Sequence, residues 1–164
     1  MVNDIKLAQK GDTAAFARLY ETVYRELYRT AYFSLRCNEH DAADAVSDTV
    51  MDAFESIGKL KKPESFRKWI FSILSAKIKQ KQKTYYNSER ECIPADTAED
   101  FSYASAELRQ VLDTIPETDR LILSLAVLGG YTSEEIGKIC GIEPSTVRSR
   151  LSRLKAALRV QLQD

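Results

Sequence analysis

The chain has 164 residues, of which 44% are apolar and 29% are charged, and its 24 basic and 24 acidic side chains cancel. This length suits one medium domain or two small ones. No apolar run approaches the roughly 18–20 residues of a membrane-spanning helix and no signal-peptide pattern is present, so we expect a cytoplasmic protein without membrane insertion. Few glycines and prolines, and no alternating strand pattern, predict an all-α fold.

The charges are segregated along the chain. Residues 61–90 contain nine basic and two acidic side chains, and residues 136–164 contain six and two. Residues 1–60 and 91–135 are correspondingly acidic. Two basic blocks of this kind can neutralise nucleic-acid phosphates, while the acidic blocks keep the chain soluble. The alternative is a pair of solvated helix faces.

The N-terminal segment predicts two helical stretches with different faces. Apolar residues at three- and four-residue steps from Phe16 to Leu35 predict a long amphipathic helix, or two in succession, with Asp12 as N-cap. The next stretch has a core stripe of Val46, Val50, Ala53, Phe54 and Ile57. Its opposite face carries an acidic ridge of Asp41, Asp44, Asp48 and Asp52. Such a ridge contributes little to folding and favours a basic partner; the alternative is a solvated face with Asp41 as a cap.

A basic helix is predicted to start at Ser65. Its buried stripe is Phe66, Trp69, Ile70, Ile73 and Leu74. The remaining surface carries basic side chains, including Arg67, Lys68, Lys77, Lys79 and Lys83, and two tyrosines follow. Basic groups beside aromatic rings suit single-stranded or melted nucleic acid, because bases stack on the rings. Trp69 lies in the apolar stripe, which favours a core role over base stacking.

Residues 87–106 are acidic and lack periodicity, which predicts a flexible linker. The expected organisation is therefore two small helical domains, over residues 1–86 and 107–164, joined by this linker.

The C-terminal segment predicts a helix-turn-helix. Pro116 opens one helix and Gly129-Gly130 ends it. Thr132 and Glu135 form a capping box for a short helix, and Gly141 ends that helix before Pro144 starts the last one. Helix, short glycine turn, helix is the arrangement that places a recognition helix in the DNA major groove.

The last helix has an apolar and a polar face. Val147, Leu151, Leu154 and Leu158 fall in one wedge of the helical wheel and predict the core side. The outward crest carries Ser145, Ser149, Ser152 and Arg153, and the flanks carry Thr146, Arg148 and Arg150. Small hydroxyl side chains allow close approach to base edges, and guanidinium groups reach phosphates or guanine. The alternative is a surface helix made soluble by arginine.

The residues give no sign of catalytic or metal chemistry. Three widely spaced cysteines argue against a disulfide scaffold and for a reducing compartment. Cys37 and His40 could supply half a zinc site, but the chain has only one histidine. No phosphate loop or nucleophile motif is present, so we expect neither an enzyme nor a cofactor, metal or small-molecule substrate.

Four segments in this order resemble the extracytoplasmic-function (ECF) group of bacterial RNA polymerase sigma factors. They are "GDTAAFARLY", "DAADAVSDTV", "SFRKWIFSIL" and the stretch from "IPETDRLILSL" to "RLKAAL". The resemblance covers nearly the whole chain, and the C-terminal match is the most specific.

The resemblance implies the partners core RNA polymerase, promoter DNA and an anti-sigma factor. The acidic ridge would bind the polymerase clamp, and the linker would thread toward the polymerase active site. The −35 element would be read by Ser145, Thr146, Arg148, Ser149, Arg150 and Arg153. The melted −10 strand would be held by Arg67, Lys68, Lys77, Lys79 and Lys83. A protein of this group would direct transcription initiation at specific promoters and help to melt the −10 region.

Two departures from the family pattern concern the −10 helix. Ala76 and Gln80 stand where the family commonly has Asn and Asp, so individual −10 base contacts cannot be carried over. Glu143 replaces a frequent serine cap and still suits the helix dipole.

The main alternative function is a helix-turn-helix regulator that binds duplex DNA without polymerase; it would need neither the acidic ridge nor the basic helix.

Overall fold

The computed structural model describes residues 1–36, 38–87 and 106–163, and it is helical over these ranges. Two short 3₁₀ turns, Ile57–Lys59 and Pro63–Ser65, lie between the third and fourth helices. Within the described ranges the helices are α1 (Val2–Gln9), α2 (Thr13–Ser34), α3 (Glu39–Ser56), α4 (Phe66–Asn87), α5 (Ala106–Asp113), α6 (Glu117–Val127), α7 (Ser133–Cys140) and α8 (Pro144–Gln163). The predicted linker lies almost wholly outside the described residues, as does Cys37.

Local capping chemistry sets several helix starts. The carboxylate of Asp12 accepts from the Ala15 backbone N–H at 3.0 Å, which confirms the predicted N-cap of α2. The cap of α3 is Asn38, whose side chain accepts from the Asp41 N–H, so Asp41 is not the cap that the alternative interpretation of the acidic ridge assumed. The basic helix starts at Phe66, one residue later than predicted, after the 3₁₀ turn.

The N-terminal unit packs α1 to α4 around apolar side chains. Leu27, Ile70 and Leu74 are completely buried. The stripe predicted for α3 is only partly correct, because Phe54 is 38% exposed, although its ring edge contacts Phe16 at 5.2 Å. Thr49 occupies a fully buried position instead, and its hydroxyl donates to the Ala45 carbonyl at 2.7 Å. The neighbouring turn of the helix thus satisfies a polar group that the apolar pattern did not predict.

The C-terminal unit packs α7 and α8 against the apolar face of α6. Leu121, Ile122 and Leu125 of α6 are completely buried. From α8, Val147, Leu151 and Leu154 are buried and Leu158 is half-buried, as the helical wheel predicted. One face of α8 is therefore fixed in the core, and its opposite face is exposed to solvent.

The two units pack against each other. The Gln82 side-chain amide donates to the Ser34 carbonyl at 3.0 Å and to the Glu117 carbonyl at 2.9 Å, so one buried side chain contacts both units. Arg36 of the N-terminal unit pairs with the Glu117 carboxylate at 2.7 Å. Buried residues of both units form a continuous core. The sequence analysis predicted two helical units joined by a flexible linker and did not predict that they pack together.

Candidate functional site

The helix-turn-helix has a tight turn between α7 and α8. The capping box is present, with the Thr132 N–H donating to the Glu135 carboxylate at 3.0 Å and the Glu135 N–H donating to the Thr132 hydroxyl at 3.2 Å. Gly141 has φ 69°, the left-handed conformation that was expected there. The Ile142 N–H donates to the Gly137 carbonyl at 3.0 Å. A Cβ on Gly137 would lie only 2.6 Å from the Ile142 carbonyl oxygen, so the close turn requires glycine here.

The polar face of α8 is open to solvent. Arg150 differs from its neighbours: it is half-buried, and its Nη1 lies 3.4 Å from an Asp119 carboxylate oxygen of α6. The other residues predicted to contact the −35 element are exposed: Ser145, Thr146, Arg148, Ser149 and Arg153. The structure thus brings five of the six together on one accessible surface and partly holds the sixth against its own domain.

Three of the basic residues of α4 face the C-terminal unit. The Arg67 guanidinium donates to the Gly129 carbonyl at 3.1 Å and forms an ion pair with Glu26. The Lys68 ammonium lies 2.5 Å from a Glu135 carboxylate oxygen, and the Lys79 ammonium donates to a backbone carbonyl of α7 at 2.9 Å. These are three of the five residues predicted to hold melted DNA.

The Arg67 contacts lie among aromatic rings. The Arg67 guanidinium lies 5.6 Å from the centre of the Tyr131 ring, a cation–π distance, and 3.4 Å from the Tyr131 hydroxyl. Burial raises the pKa of the Tyr131 hydroxyl, and the arginine opposes this. Burial also raises the pKa of Glu26, again against the pull of Arg67. By contrast, the hydrogen bond from Lys68 lowers the pKa of Glu135.

The remaining basic residues of α4 do not share this surface. Lys77 faces α3, where its ammonium lies 2.5 Å from the Asp52 carboxylate. Lys81, which the sequence also places on α4, lies 3.7 Å from Asp44. Lys83 is exposed. The five residues predicted to bind the −10 strand therefore divide among three environments.

The acidic ridge of α3 is partly open. Asp44 and Asp48 are exposed, and the Asp44 side chain is 69% accessible despite its contact with α4. Asp41 and Asp52 are half-buried. Part of the ridge is thus paired with lysines of the same chain, which the sequence argument for an external basic partner did not anticipate. Asp44 and Asp48 are the members of the ridge that remain exposed to solvent.

Trp69 lies where the two units meet. It is half-buried, so it belongs neither wholly to the core, as the apolar stripe predicted, nor to the open surface. It lines an open cleft of about 290 Å³ together with Lys138 and Ile139 of α7. Among the residues that contact α4, Glu135 was predicted only as a member of the capping box and not as a partner of Lys68. A signal for this contact was available in the net charges: residues 91–135 have ten acidic and two basic side chains, close to the opposite of the nine basic and two acidic side chains of residues 61–90.

Over the parts of the chain that the structure describes, no group of three or more metal-ligating side chains comes together. The same residues include no helix that is both long and apolar enough to cross a membrane.

Two family models match the chain: "Sigma-70 region 2" over residues 19–85 and "Sigma-70, region 4" over residues 105–158. RNA polymerase sigma factor SigV of Bacillus subtilis (strain 168) is 30% identical over 142 residues, covering 84% of this chain and 85% of SigV. ECF RNA polymerase sigma factor SigW of the same strain is 25% identical, covering 98% and 95%.

Two solved structures share the fold. CnrH, in complex with the cytosolic domain of CnrY, has a TM-score of 0.71 at 20% identity and covers 99% of this chain and 96% of its own. The sigma factor RpoE of Bartonella quintana, in complex with the anti-sigma factor NepR, has a TM-score of 0.65 at 21% identity and covers 89% and 97%. Both likenesses reach across the two helical units.

Proposed function

Since this chain belongs to the RNA polymerase sigma factors of the ECF group, we propose that it binds core RNA polymerase and directs transcription initiation at specific promoters. The observation that carries the proposal is the order of two matched units, region 2 on α2 to α4 and region 4 on α5 to α8. A regulator that only binds duplex DNA needs a helix-turn-helix and has no use for the first unit.

We assign the −35 element to the open face of α8. The apolar side of this helix is held in the core by Val147 and Leu151, which fixes the direction of the outward residues. Exposed serine and threonine side chains leave space for the backbone to approach base edges. Arg148 and Arg153, both exposed, would contact phosphates or guanine. Arg150 would first have to leave Asp119.

We assign the melted −10 strand to the surface of α4 around Arg67, Lys68 and Lys79. Cationic side chains beside an aromatic ring are suited to a strand whose bases have been unstacked, and Trp69 supplies such a ring. Ala76 and Gln80 are both exposed on α4. Because neither carries the family's Asn or Asp, base selection on this helix rests on other side chains.

We assign the polymerase contact to the acidic ridge, chiefly Asp44 and Asp48. An exposed cluster of one charge guides association with a surface of the opposite charge and fixes the orientation of binding. The assignment follows the family resemblance and is supported by the exposure of both carboxylates.

A protein with this function acts in the cytoplasm and catalyses no reaction itself. The Bartonella quintana sigma factor that shares the fold was solved with an anti-sigma factor. We therefore include an anti-sigma factor among the partners of this chain.

The function is tested by mixing the chain with core RNA polymerase and separating the complex by gel filtration. Run-off transcription then uses templates chosen from start sites mapped after overexpression of the chain. A stable complex that starts transcription at these sites, where core polymerase alone does not, supports the proposal. Binding to duplex DNA without association with polymerase would instead identify a helix-turn-helix regulator.

A further inference from the structure

The cleft between α4 and α7 combines apolar and cationic groups. Its volume is about 290 Å³, near the lower end of the roughly 300–1,000 Å³ of small-molecule sites, so it suits a ligand with one or two rings. Residues of α4 and of the turn before it form one side of the cleft, and residues of α7 form the other. Both helical units are therefore needed to complete it.

The apolar part of the cleft comes from Trp69 on α4 and Ile139 on α7, which are both half-buried. The centre of the Trp69 ring lies 6.1 Å from that of Phe66, and Phe66 is buried, so the core limits how far the indole can move. An indole held in this way offers a surface against which another planar ring can stack or pack edge-on. These two side chains favour a flat aromatic ligand.

The charged part of the cleft consists of Lys68, Glu135 and Lys138. The Lys68 ammonium lies 2.5 Å from a Glu135 carboxylate oxygen, so these two charges offset each other. Lys138 is exposed, and within the described ranges its ammonium forms no ion pair. The lining of the cleft therefore has an excess positive charge at Lys138, which attracts an anion.

The hydroxyl groups of the cleft are already used as donors. The Ser65 hydroxyl donates to the Lys62 carbonyl at 2.7 Å, and the Ser72 hydroxyl donates to the Trp69 carbonyl at 2.6 Å. Each hydroxyl has a single proton, so neither has a second one to give to a ligand. The polar contact that remains for a ligand is the Lys138 ammonium, which binds a charged acceptor better than a neutral one.

We propose that this cleft binds a small planar aromatic anion, with the ring against Trp69 and Ile139 and the anionic group at Lys138. Carboxylate and phosphate groups both suit an exposed ammonium, so an aromatic acid and a nucleotide are the two sources to be distinguished. The inference goes beyond the proposed function, because recognition of a promoter needs no small molecule. An occupant would contact α4 and α7 at the same time.

Nuclear magnetic resonance of the full chain can report on occupation of the cleft. Trp69 is the only tryptophan of the sequence, so a nitrogen–proton correlation spectrum has one indole N–H resonance from this ring. Two ligand pairs are titrated, naphthoate with naphthamide and guanosine monophosphate with guanosine. Within each pair only the anionic group changes. Acetate and inorganic phosphate supply the anion without a ring.

The anionic member of at least one pair should shift this resonance saturably. It should bind more tightly than its uncharged counterpart by about 1.5-fold to fivefold, the range for an exposed ion pair. Acetate and inorganic phosphate should give no saturable shift, because neither can pack against the indole. Binding of naphthoate alone would identify an aromatic acid as the source, and binding of guanosine monophosphate alone would identify a nucleotide.

The role of Lys138 is tested by comparing Lys138→Gln with Lys155→Gln. Lys155 is exposed on α8, outside the cleft, and in the part of the chain that the structure describes it forms no ion pair. Each variant loses one positive charge from the C-terminal unit, so a general electrostatic loss appears equally in both. We expect Lys138→Gln to bind the anionic ligand about 1.5-fold to fivefold more weakly and the uncharged one equally well. Lys155→Gln should match the wild type, and circular dichroism checks that both variants fold.

The inference is overturned if neither anionic ligand binds saturably, or if both bind no more tightly than their uncharged counterparts. It is also overturned if the two lysine variants are indistinguishable, because the anion would then not be held at Lys138. A saturable shift with acetate or phosphate alone would indicate an adventitious ion only and would reject the role of the ring. The titrations contain neither DNA nor polymerase, so their result is independent of the proposed function.

Discussion

Replacement of Arg148 by alanine tests the −35 assignment most directly. Arg148 is exposed on α8, and within the described ranges it forms no hydrogen bond or ion pair. Surface substitutions of this kind usually change the free energy of unfolding by less than about 0.5 kcal/mol. A loss of DNA affinity in this variant can therefore be attributed to the contact with DNA.

The size of the loss depends on what the arginine contacts. A guanidinium that binds a base edge contributes about 1–3 kcal/mol, so its removal should weaken binding by about fivefold to 150-fold and relax sequence preference at one position. A phosphate contact instead lowers affinity for all sequences and reduces the slope of affinity against salt by about one. Arg150→Ala is the matched control. Its side chain is tied to Asp119 at 3.4 Å, so we expect a smaller loss of DNA affinity and a larger loss of stability.

The assay is fluorescence anisotropy with a duplex that contains the −35 element of a mapped start site, and with a scrambled duplex, at three salt concentrations. Thermal unfolding followed by circular dichroism checks that each variant folds. Unchanged affinity of Arg148→Ala for both duplexes at low salt would refute the assignment of this side chain to DNA. A loss confined to Arg150→Ala would mean that Asp119 releases its arginine on binding.

Three further predictions concern the polymerase contact, the helix cap and the ion pair of Lys68 with Glu135. Replacing Asp44 and Asp48 together by lysine should lower affinity for core polymerase in a pull-down while leaving the helical circular dichroism spectrum unchanged; full affinity would contradict the docking assignment. Thr132→Ala should reduce the free energy of unfolding in urea by about 1 kcal/mol, whereas Thr132→Ser, which keeps the hydroxyl, should lose much less. The hydrogen bond from Lys68 lowers the pKa of Glu135 from its ordinary value of 4.5, so this contact is present above pH 4.5 and is lost as the pH falls below it. Acrylamide quenching of Trp69 fluorescence should therefore rise below pH 4.5, and it should rise less in Glu135→Gln.

Features set by neighbouring residues could be predicted from the sequence. Asp12, Thr132 and Gly141 act on the backbone within a few positions of themselves, so their roles follow from residue type and spacing alone. The buried wedge of α8 could be predicted for the same reason, since helical periodicity fixes which side chains share a face. The family resemblance added the expected partners, and the comparisons confirmed the family.

Features set by residues distant in sequence could not be predicted. The pairing of Lys77 with Asp52 and of Lys68 with Glu135 depends on how α4 packs against α3 and α7. Charge counts gave the sign of each segment but not its partner, so part of the charge that the sequence assigned to DNA and polymerase is matched within the chain. The predicted linker over residues 87–106 stays a prediction, because nearly all of it lies outside the described residues.

The tight turn between α7 and α8 limits which residues can change if the promoter sequence bound by α8 is to change. A Cβ at Gly137 would lie 2.6 Å from the Ile142 carbonyl oxygen, so no larger side chain fits there. Substitution at Gly137 therefore cannot be used to change the angle between α7 and α8. If α8 reads the −35 element as proposed, new promoter preferences would arise from exchanges at its exposed positions, such as Ser145 and Ser149. Residues that set the fold and residues that would set the DNA sequence preference are therefore different. The exposed positions of α8 can be randomised while the turn at Gly137 is kept.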